Sequence, residues 1–543
     1  MKKVLPTVLL SLVLAAVMAS FGAVALAQDA EPDRGGRLEL VALNDPRTLD
    51  NSQAVDTIEY NTVAGALYEG LYHFDPSGQL QAGLAEGMPE ISDDGLVYTF
   101  TIRPDAMFAG PDFTPRAVTA DDVAYGLIRA LDPTPDGAPA PSWGSGYLFP
   151  IAGAPEFNAG EAEGVDGIEV IDDRTLQVTL TEPTSTFLLG LTIATSWPVP
   201  PEAVAERGED FGNRPVGAGP FYVKEWNKGS DILLARNEGY VDPDLPYLDE
   251  IHVDLGIDPN TQVLRLETGE ADGVYEPFTI GPAGLRSLAE APGIAIVDAV
   301  GPRIYYLALE NGGMFGNRDL RLAVAHAVTR DFTAQFGGLA KPWNQLMGSA
   351  TLQSDPEGTR IYPFDQDEAR ELMAAGGYDG TPVKLIYDVS DPYGSANATA
   401  LRQDLEAVGF TVEMTGMQPG EFFGGGVYEP SVRDISSTYW SADYPDLQDY
   451  VSTNFICGSF LNISHFCDEA IDEAFYATER MDFGAQRDAA LLEVQQRLID
   501  EVAGVPVMEI TPQVIFGSRV GDMPTLATYA PYDWKRAWVK ADA

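Results

Sequence analysis

Apolar and polar residues alternate along short segments in the first half of the chain, a pattern typical of half-buried strands. The segments with this alternation are 36–45, 97–103, 221–226, 231–236 and 250–255, together with a hairpin at 167–180 that turns at Asp172-Asp173. Helical spacing is found at 56–72 and at 119–131, where Thr119 is placed to cap the helix ahead of two acids. The first half is therefore predicted to be rich in strands.

From about residue 318 onward, helical spacing dominates. The predicted helices are 319–328, 365–378, 398–409, 467–478 and 486–500. Strands at 382–389 and 410–414 flank the third helix, which gives a strand–helix–strand unit of the parallel α/β kind. The C-terminal segment carries Tyr529, Tyr532, Trp534 and Trp538, and we expect it to pack back onto the first half.

Length and charge narrow the possible functions. A chain of 543 residues is too long for one compact core, so we expect two or three domains. Its 82 acidic and 33 basic residues give a formal net charge of −49. Such a surface repels phosphate backbones and anionic lipids, which argues against nucleic acid as a partner. We interpret the excess acid as a strongly solvated surface.

The N-terminus has the pattern of an export signal. Lys2 and Lys3 precede a long apolar run, and Ala25-Leu26-Ala27 offers small residues for cleavage before Gln28. We predict a cleavable signal peptide at 1–27; an uncleaved membrane anchor is the alternative, because the run is nearly long enough to span a bilayer. No cysteine follows the run directly, so a lipid-modified N-terminus is not expected.

Two cysteines, Cys457 and Cys467, form a close pair in the sequence. In an exported chain this arrangement favours a disulfide that closes a short loop. His465 lies between them, but one histidine at this spacing matches no usual zinc pattern, and we predict neither a metal site nor a cofactor.

Several segments, in order along the chain, resemble the extracytoplasmic solute-binding proteins of family 5, which serve peptide, nickel and opine transporters. The segments are L-Y-E-G-L-Y-H-F-D-P-S-G-Q-L-Q-A-G-L-A-E (67–86), S-D-D-G-L-V-Y-T-F-T-I-R (92–103), V-T-A-D-D-V-A-Y-G-L-I-R-A-L-D-P (118–133), V-G-A-G-P-F (216–221), R-N-E-G-Y (236–240), R-D-L-R-L-A-V-A-H-A-V-T-R (318–330), E-A-R-E-L-M-A-A-G-G-Y (368–378) and W-S-A-D-Y-P-D (440–446). Each segment alone is a weak signal, whereas their joint order is specific.

The resemblance implies an α/β fold of two lobes around a cleft, the type II (cluster C) periplasmic-binding-protein architecture, with an extra subdomain on the first lobe. We expect the first lobe at 28–299, the second at 300–513, and a return to the first lobe at 514–543. The two crossings would act as hinges. The implied role is that of a periplasmic, monomeric receptor, without enzyme activity, that passes a peptide or other small solute to the permease and ATPase subunits of an ABC importer.

The resemblance also indicates a ligand site. In peptide-binding members the acid of the W-x-x-D motif pairs with the ligand's free α-amino group, and here Trp440, Ser441 and Asp443 keep that spacing. A fixed carboxylate in a closed cleft offsets the cost of burying an ammonium. Tyr439 and Trp440 would lie beside it on a strand, and Thr57 and Ile58 would face it from the first lobe. Asp446, after Pro445, is predicted to cap the next helix.

The sequence does not identify the residue that would bind a ligand's carboxylate. Some oligopeptide binders carry an arginine three residues before this tryptophan, where this chain has Ser437. Arg433 is the nearest upstream arginine, and Asp434 is placed to neutralise it; Arg303 and Arg402 are further candidates.

Two alternative functions stay open. The same fold binds other solutes, such as an oligosaccharide, an opine or a metal chelate. A secreted hydrolase that uses Asp443 and Asp446 as paired carboxylates is the other alternative, since glycosidase pairs lie roughly 5–10 Å apart. The chain has no nucleophile-elbow or metal motif that supports hydrolysis.

Overall fold

The computed structural model describes residues 32–54, 57–136, 142–276, 278–299, 301, 303–336, 339–418, 421–459, 461–526 and 532–541. The predicted signal peptide at 1–27 and Tyr529 lie outside these ranges. Among the described residues no helix is long and apolar enough to cross a membrane.

The strands are β1 (Arg37–Val41), β2 (Tyr72–Phe74), β3 (Leu80–Ala82), β4 (Glu90–Ile91), β5 (Val97–Thr101), β6 (Ile168–Asp172), β7 (Thr175–Thr179), β8 (Phe221–Asn227), β9 (Asp231–Arg236), β10 (Glu250–Asp254), β11 (Gly273–Val274), β12 (Ala295–Asp298), β13 (Arg303–Leu309), β14 (Ala340–Pro342), β15 (Val383–Asp388), β16 (Val412–Met417), β17 (Ile435–Ser441), β18 (Val505–Ile510), β19 (Gln513–Phe516), β20 (Val520–Asp522) and β21 (Trp538–Val539).

The α-helices are α1 (Thr57–Thr62), α2 (Ala120–Leu131), α3 (Ala154–Asn158), α4 (Phe187–Gly190), α5 (Pro201–Arg207), α6 (Pro259–Thr268), α7 (Pro282–Glu290), α8 (Arg318–Ala327), α9 (Gln366–Ala375), α10 (Pro392–Val408), α11 (Leu447–Asn454), α12 (Glu469–Glu479) and α13 (Ala485–Asp500). Two 3₁₀ turns near the site are Trp143–Leu148 and Trp534–Arg536.

Among the described residues the strands form five sheets, of which β2-β3 and β20-β21 have two strands each, and the three larger sheets organise the fold. A seven-stranded sheet has the order β12-β19-β11-β1-β10-β9-β8, and a six-stranded sheet has the order β14-β18-β13-β17-β15-β16. A four-stranded sheet, β4-β5-β7-β6, stands apart from both. The chain leaves the seven-stranded sheet after Asp298, joins the six-stranded sheet at Arg303, and returns between Ile510 and Gln513. The lobe boundaries and the hinge motion predicted near these passages stay predictions.

The six-stranded sheet is buried on both faces. Along β13, Tyr305, Leu307 and Leu309 belong to one apolar cluster, whereas Ile304, Tyr306 and Ala308 belong to another on the opposite face. Successive side chains of a strand point to opposite faces, so a strand covered on both sides is apolar throughout. This sheet therefore gives β17, which carries the predicted ligand residues, a rigid support.

The predicted strand–helix–strand unit is confirmed: β15 and β16 pair in parallel with α10 between them. The helix begins earlier than predicted, because Pro392 occupies its first turn and the Asp391 side chain accepts a hydrogen bond from the Tyr393 amide. The helix predicted at 56–72 is shorter, since α1 ends at Thr62 and a single π-helical turn, Val63–Leu67, follows. In that turn Gly65 lies so close to Trp534 that a Cβ would stand 2.7 Å from the indole.

The C-terminal segment packs onto the first half, as predicted. Tyr532 and Trp534 stack with ring centroids 4.5 Å apart, and Trp534 stacks on Tyr275 at 5.1 Å. Both C-terminal rings belong to the main first-lobe core. The turn Trp534–Arg536 is thereby fixed against the first lobe.

A buried ion pair joins the start of the first lobe to α2. Arg129 donates to both Asp50 oxygens, at 2.9 and 2.6 Å, and each side chain is at most 3% exposed. Removal of one partner leaves an uncompensated buried charge, which costs far more than loss of an exposed pair.

We expect Arg129→Met to lower the free energy of unfolding by about 3–5 kcal/mol, because the buried Asp50 side chain loses its ion-pair partner. Arg497→Met, which breaks the exposed pair with Glu493, serves as the control and is expected to cost under about 1 kcal/mol. Urea denaturation of both variants provides the measurement. Equal losses would contradict a stabilising role for the buried pair.

Candidate functional site

Asp443 lies where the two lobes meet. It lies two residues after the end of β17 and is 8% exposed. It lines a cavity of about 60 Å³ whose other lining residues come from the first-lobe part of the chain and from its C-terminal return. The aromatic members of that lining are Tyr60, Tyr68, Phe74, Trp197 and Tyr532, and the charged or titratable ones are Glu69, His73, Asp533 and Lys535. Asp443 is thus the second lobe's acidic contribution to this cavity.

Two groups that the sequence analysis did not single out surround Asp443. The Tyr147 hydroxyl, from the turn Trp143–Leu148, lies 2.6 Å from Asp443 Oδ2 and 2.9 Å from Asp449 Oδ1. Asp449 is in the first turn of α11, and its Oδ2 accepts a hydrogen bond from the Asp443 amide at 3.0 Å. Asp449 lies three residues after the W-S-A-D-Y-P-D segment, so its position close to that motif could have marked it as a candidate site residue. No sequence pattern marks Tyr147 as a site residue.

The contacts among Tyr147, Asp443 and Asp449 require a proton that the two carboxyl groups share. A phenol has one proton to donate, yet the Tyr147 oxygen lies within hydrogen-bond distance of two carboxyl groups. Both contacts are satisfied when one carboxyl is protonated. Burial raises the pKa of Asp443 to about 7, and burial together with the nearby Asp443 charge raises the pKa of Asp449 well above its usual value. The proton belongs to the pair rather than to one residue.

Further contacts at the same place hold the lobes together. Tyr444 packs in a small cluster with Phe74 and Ile193, and its ring meets that of Tyr147 edge-on at 5.8 Å. Nearer the surface, Arg480 pairs with Glu182 at 2.6 Å. The described conformation is therefore closed around the cavity.

The other predicted ligand residues are positioned by β17. Tyr439, Trp440 and Ser441 pair antiparallel with residues 303–305 of β13. Trp440 Nε1 approaches Asp449 Oδ2 at 3.4 Å, and the Tyr439 ring lies 5.4 Å from that of Tyr305. None of these three is among the described residues that line the cavity. On the first lobe, Thr57 and Ile58 fall in α1, and their side chains lie outside the description.

Asp446 has the structural role predicted for it. It is the N-cap of α11, where its side chain accepts from the Gln448 amide at 2.9 Å. Arg487 donates to both of its oxygens, at 2.8 and 3.0 Å, and both side chains are at most 1% exposed. A carboxylate held in this way is not available as the partner of Asp443 in hydrolysis.

Arg433 has a different partner from the one expected. Its guanidinium pairs with Glu310 at 2.9 Å rather than with the neighbouring Asp434, and it is fully buried. Glu310 also contacts His465, which lies inside the loop closed by the predicted Cys457–Cys467 disulfide; that disulfide is present. Arg433 thus supports this loop and does not reach the cavity.

The shared proton gives the stability of the ligand-free protein a pH dependence. Because the folded-state pKa of Asp443 lies above that of an unfolded aspartate, its contribution to stability is complete below about pH 4 and is lost as the pH rises through about 7. We expect the stability of the wild type, relative to the Asp443→Asn/Asp449→Asn double variant, to fall over this range by on the order of 2 kcal/mol or more.

Thermal unfolding between about pH 4 and pH 8 measures this difference. Asp367→Asn is the control, since that side chain is 94% exposed, and its profile should parallel that of the wild type. If the difference in stability between the wild type and the double variant stays constant or increases with pH, both carboxyl groups are ionised in the folded protein.

Comparisons with known proteins identify the family of this chain. The model of the bacterial extracellular solute-binding proteins, family 5, matches residues 79–462. The glutathione-binding protein GsiB of Salmonella typhi is 27% identical over 474 residues, which cover 85% of this chain and 86% of the relative.

Two solved structures show the same fold. The periplasmic binding protein DppA of Helicobacter pylori, in complex with the peptide STSA, superposes with a TM-score of 0.80 at 21% identity and covers 93% of this chain and 98% of its own. The murein tripeptide binding protein MppA of Escherichia coli gives a TM-score of 0.78 at 20% identity, covering 94% and 99%. These likenesses confirm the predicted two-lobe α/β fold, and the chain belongs to the bacterial extracellular solute-binding proteins of family 5.

Proposed function

We propose that this protein is the periplasmic receptor of an ABC importer and that it binds short peptides by their free α-amino group. The observation that carries the proposal is the position of Asp443, a nearly buried carboxyl group on the wall of the cavity between the lobes. An ammonium brings a counter-charge and three hydrogen-bond donors to such a group. Burial of the ammonium costs free energy that the fixed carboxylate offsets.

The strand before Asp443 supports an extended ligand. The ladder between β15 and β17 runs from Ile435 to Ser437, and Trp440 and Ser441 extend beyond it. Backbone groups at the end of such a strand suit an added peptide strand. In the proposal, Trp440 and Ser441 pair with the ligand backbone, Tyr439 lies beside it, and Thr57 and Ile58 face it from the first lobe.

The comparisons support a peptide-like solute. One relative is named for glutathione, and two solved neighbours are named for a bound peptide or a murein tripeptide. Membership in a solute-binding family favours a receptor over an enzyme. In the proposal the protein works as a monomer after removal of residues 1–27 and passes its ligand to the permease and ATPase subunits of the importer.

We expect Asp443→Asn to weaken binding of peptides with a free α-amine by roughly 30-fold or more, since loss of one partner of a buried charge pair costs about 2–5 kcal/mol. Calorimetric titration with a tripeptide and with its N-acetylated form measures this, because the wild type should discriminate between the two and the variant should not. Asp367→Asn is the control. A variant that keeps the wild-type preference would refute the amine contact.

Binding should also release a proton. The ligand's ammonium takes the place of the proton that Asp443 and Asp449 share, so affinity should rise from about pH 5 to about pH 7, above which the free ligand's own α-amine begins to lose its proton. Titrations at about pH 6 in two buffers of different ionisation enthalpy report the number of protons released. We expect a value near one for the wild type and a smaller value for Asp443→Asn; proton uptake by the wild type would contradict this exchange.

A further inference from the structure

The first-lobe wall of the cavity carries a cation. Lys535, in the turn Trp534–Arg536, lines the cavity together with Asp443, and its side chain is 12% exposed. The backbone of this turn is fixed on both sides, since Trp534 stacks in the first-lobe core and the Lys535 carbonyl accepts a hydrogen bond from the Tyr247 amide at 3.3 Å. The ammonium is thus held at the wall of the cavity.

The neighbours of this ammonium balance its charge but satisfy few of its donors. Among the described residues, its Nζ lies 3.3 Å from His73 Nε2 and 3.4 Å from Tyr240 Oη, both long for hydrogen bonds, and 3.8 Å from Glu69 Oε2. The two Glu69 oxygens already accept hydrogen bonds, from His73 Nδ1 at 3.0 Å and from Tyr240 Oη at 2.5 Å.

Glu69 is the permanent counter-ion of this group. Burial alone would raise its pKa, but the Lys535 charge and the hydrogen bonds from His73 and Tyr240 outweigh burial and lower the pKa to about 2. The carboxylate therefore stays ionised beside the Lys535 side chain. A lysine ammonium has three donors, and its two long contacts leave it able to take a stronger acceptor from the cavity.

From this placement, and resting on the proposed function, we infer that Lys535 binds the carboxylate end of the ligand and makes the protein selective for short zwitterionic peptides. The cavity then has an acid on the second lobe for the ligand's amine and a cation on the first lobe for its carboxylate. Closure of the lobes on such a ligand joins two charge pairs, one on each side.

The arginines named in the sequence analysis are not positioned to bind the ligand's carboxylate at this cavity. Arg303 and Arg402 are not among the described residues that line the cavity, and the Arg303 guanidinium lies between the rings of Phe278 and Tyr439, at 4.1 and 4.0 Å.

The test compares a tripeptide with a free carboxylate and the same tripeptide as its C-terminal amide. We expect the wild type to bind the acid about tenfold or more tightly than the amide. Lys535→Met should bind the acid no more tightly than the amide, while its affinity for the amide stays within about threefold of the wild type. Lys535→Arg should keep a preference for the acid, and Lys224→Met, at an exposed lysine paired with Glu250, is the control.

A second variant distinguishes loss of the carboxylate contact from misfolding. Lys535→Met leaves Glu69 without its counter-ion, whereas Glu69→Gln/Lys535→Met removes both charges and should also lose the preference for the acid. Retention of the wild-type preference in either folded variant would overturn the assignment, as would equal binding of acid and amide by the wild type. Failure of the wild type to bind any free-amine peptide would instead refute the proposed function, and the role of Lys535 with it.

Discussion

A carboxyl group buried between two lobes must have either a positive partner or a proton, and this constraint governs the rest of the site. Asp443 lies close to a second buried acid, Asp449, and a single phenol, that of Tyr147, contacts both. Without a ligand the pair resolves its charge by holding a proton. In the proposed function, the ligand's ammonium replaces that proton and makes more hydrogen bonds, and this difference would favour closure around a solute over closure around an empty cavity.

The two lobes contribute different parts of the site. The six-stranded sheet, buried on both faces, fixes β17 and hence the acid, while the first lobe provides the aromatic wall and the Lys535–Glu69 pair. Because Tyr147 and Tyr444 meet across the interface, the same contacts that close the lobes also shield Asp443 from water. Charge recognition and closure are therefore one event in this account.

The sequence was informative where the determinants are local or repeated along the chain. Asp446 was predicted as a cap, and α11 begins there, because capping depends on three or four neighbouring residues. The β15–α10–β16 unit followed from its apolar spacing. Tyr147 was missed because its contact with Asp443 spans 296 positions, and no local pattern marks such a pair. Lys535 was missed for the same reason, since only the folding of the C-terminal return brings it to the cavity.

The central claim is that the cavity holds a solute by its amine. Mass spectrometry under native conditions, on protein exported by cells grown with a peptide mixture, tests this most directly. The account predicts a bound peptide whose α-amine reacts with an amine-selective reagent only after the complex is denatured. A bound molecule without a primary amine, such as a neutral oligosaccharide, would contradict it.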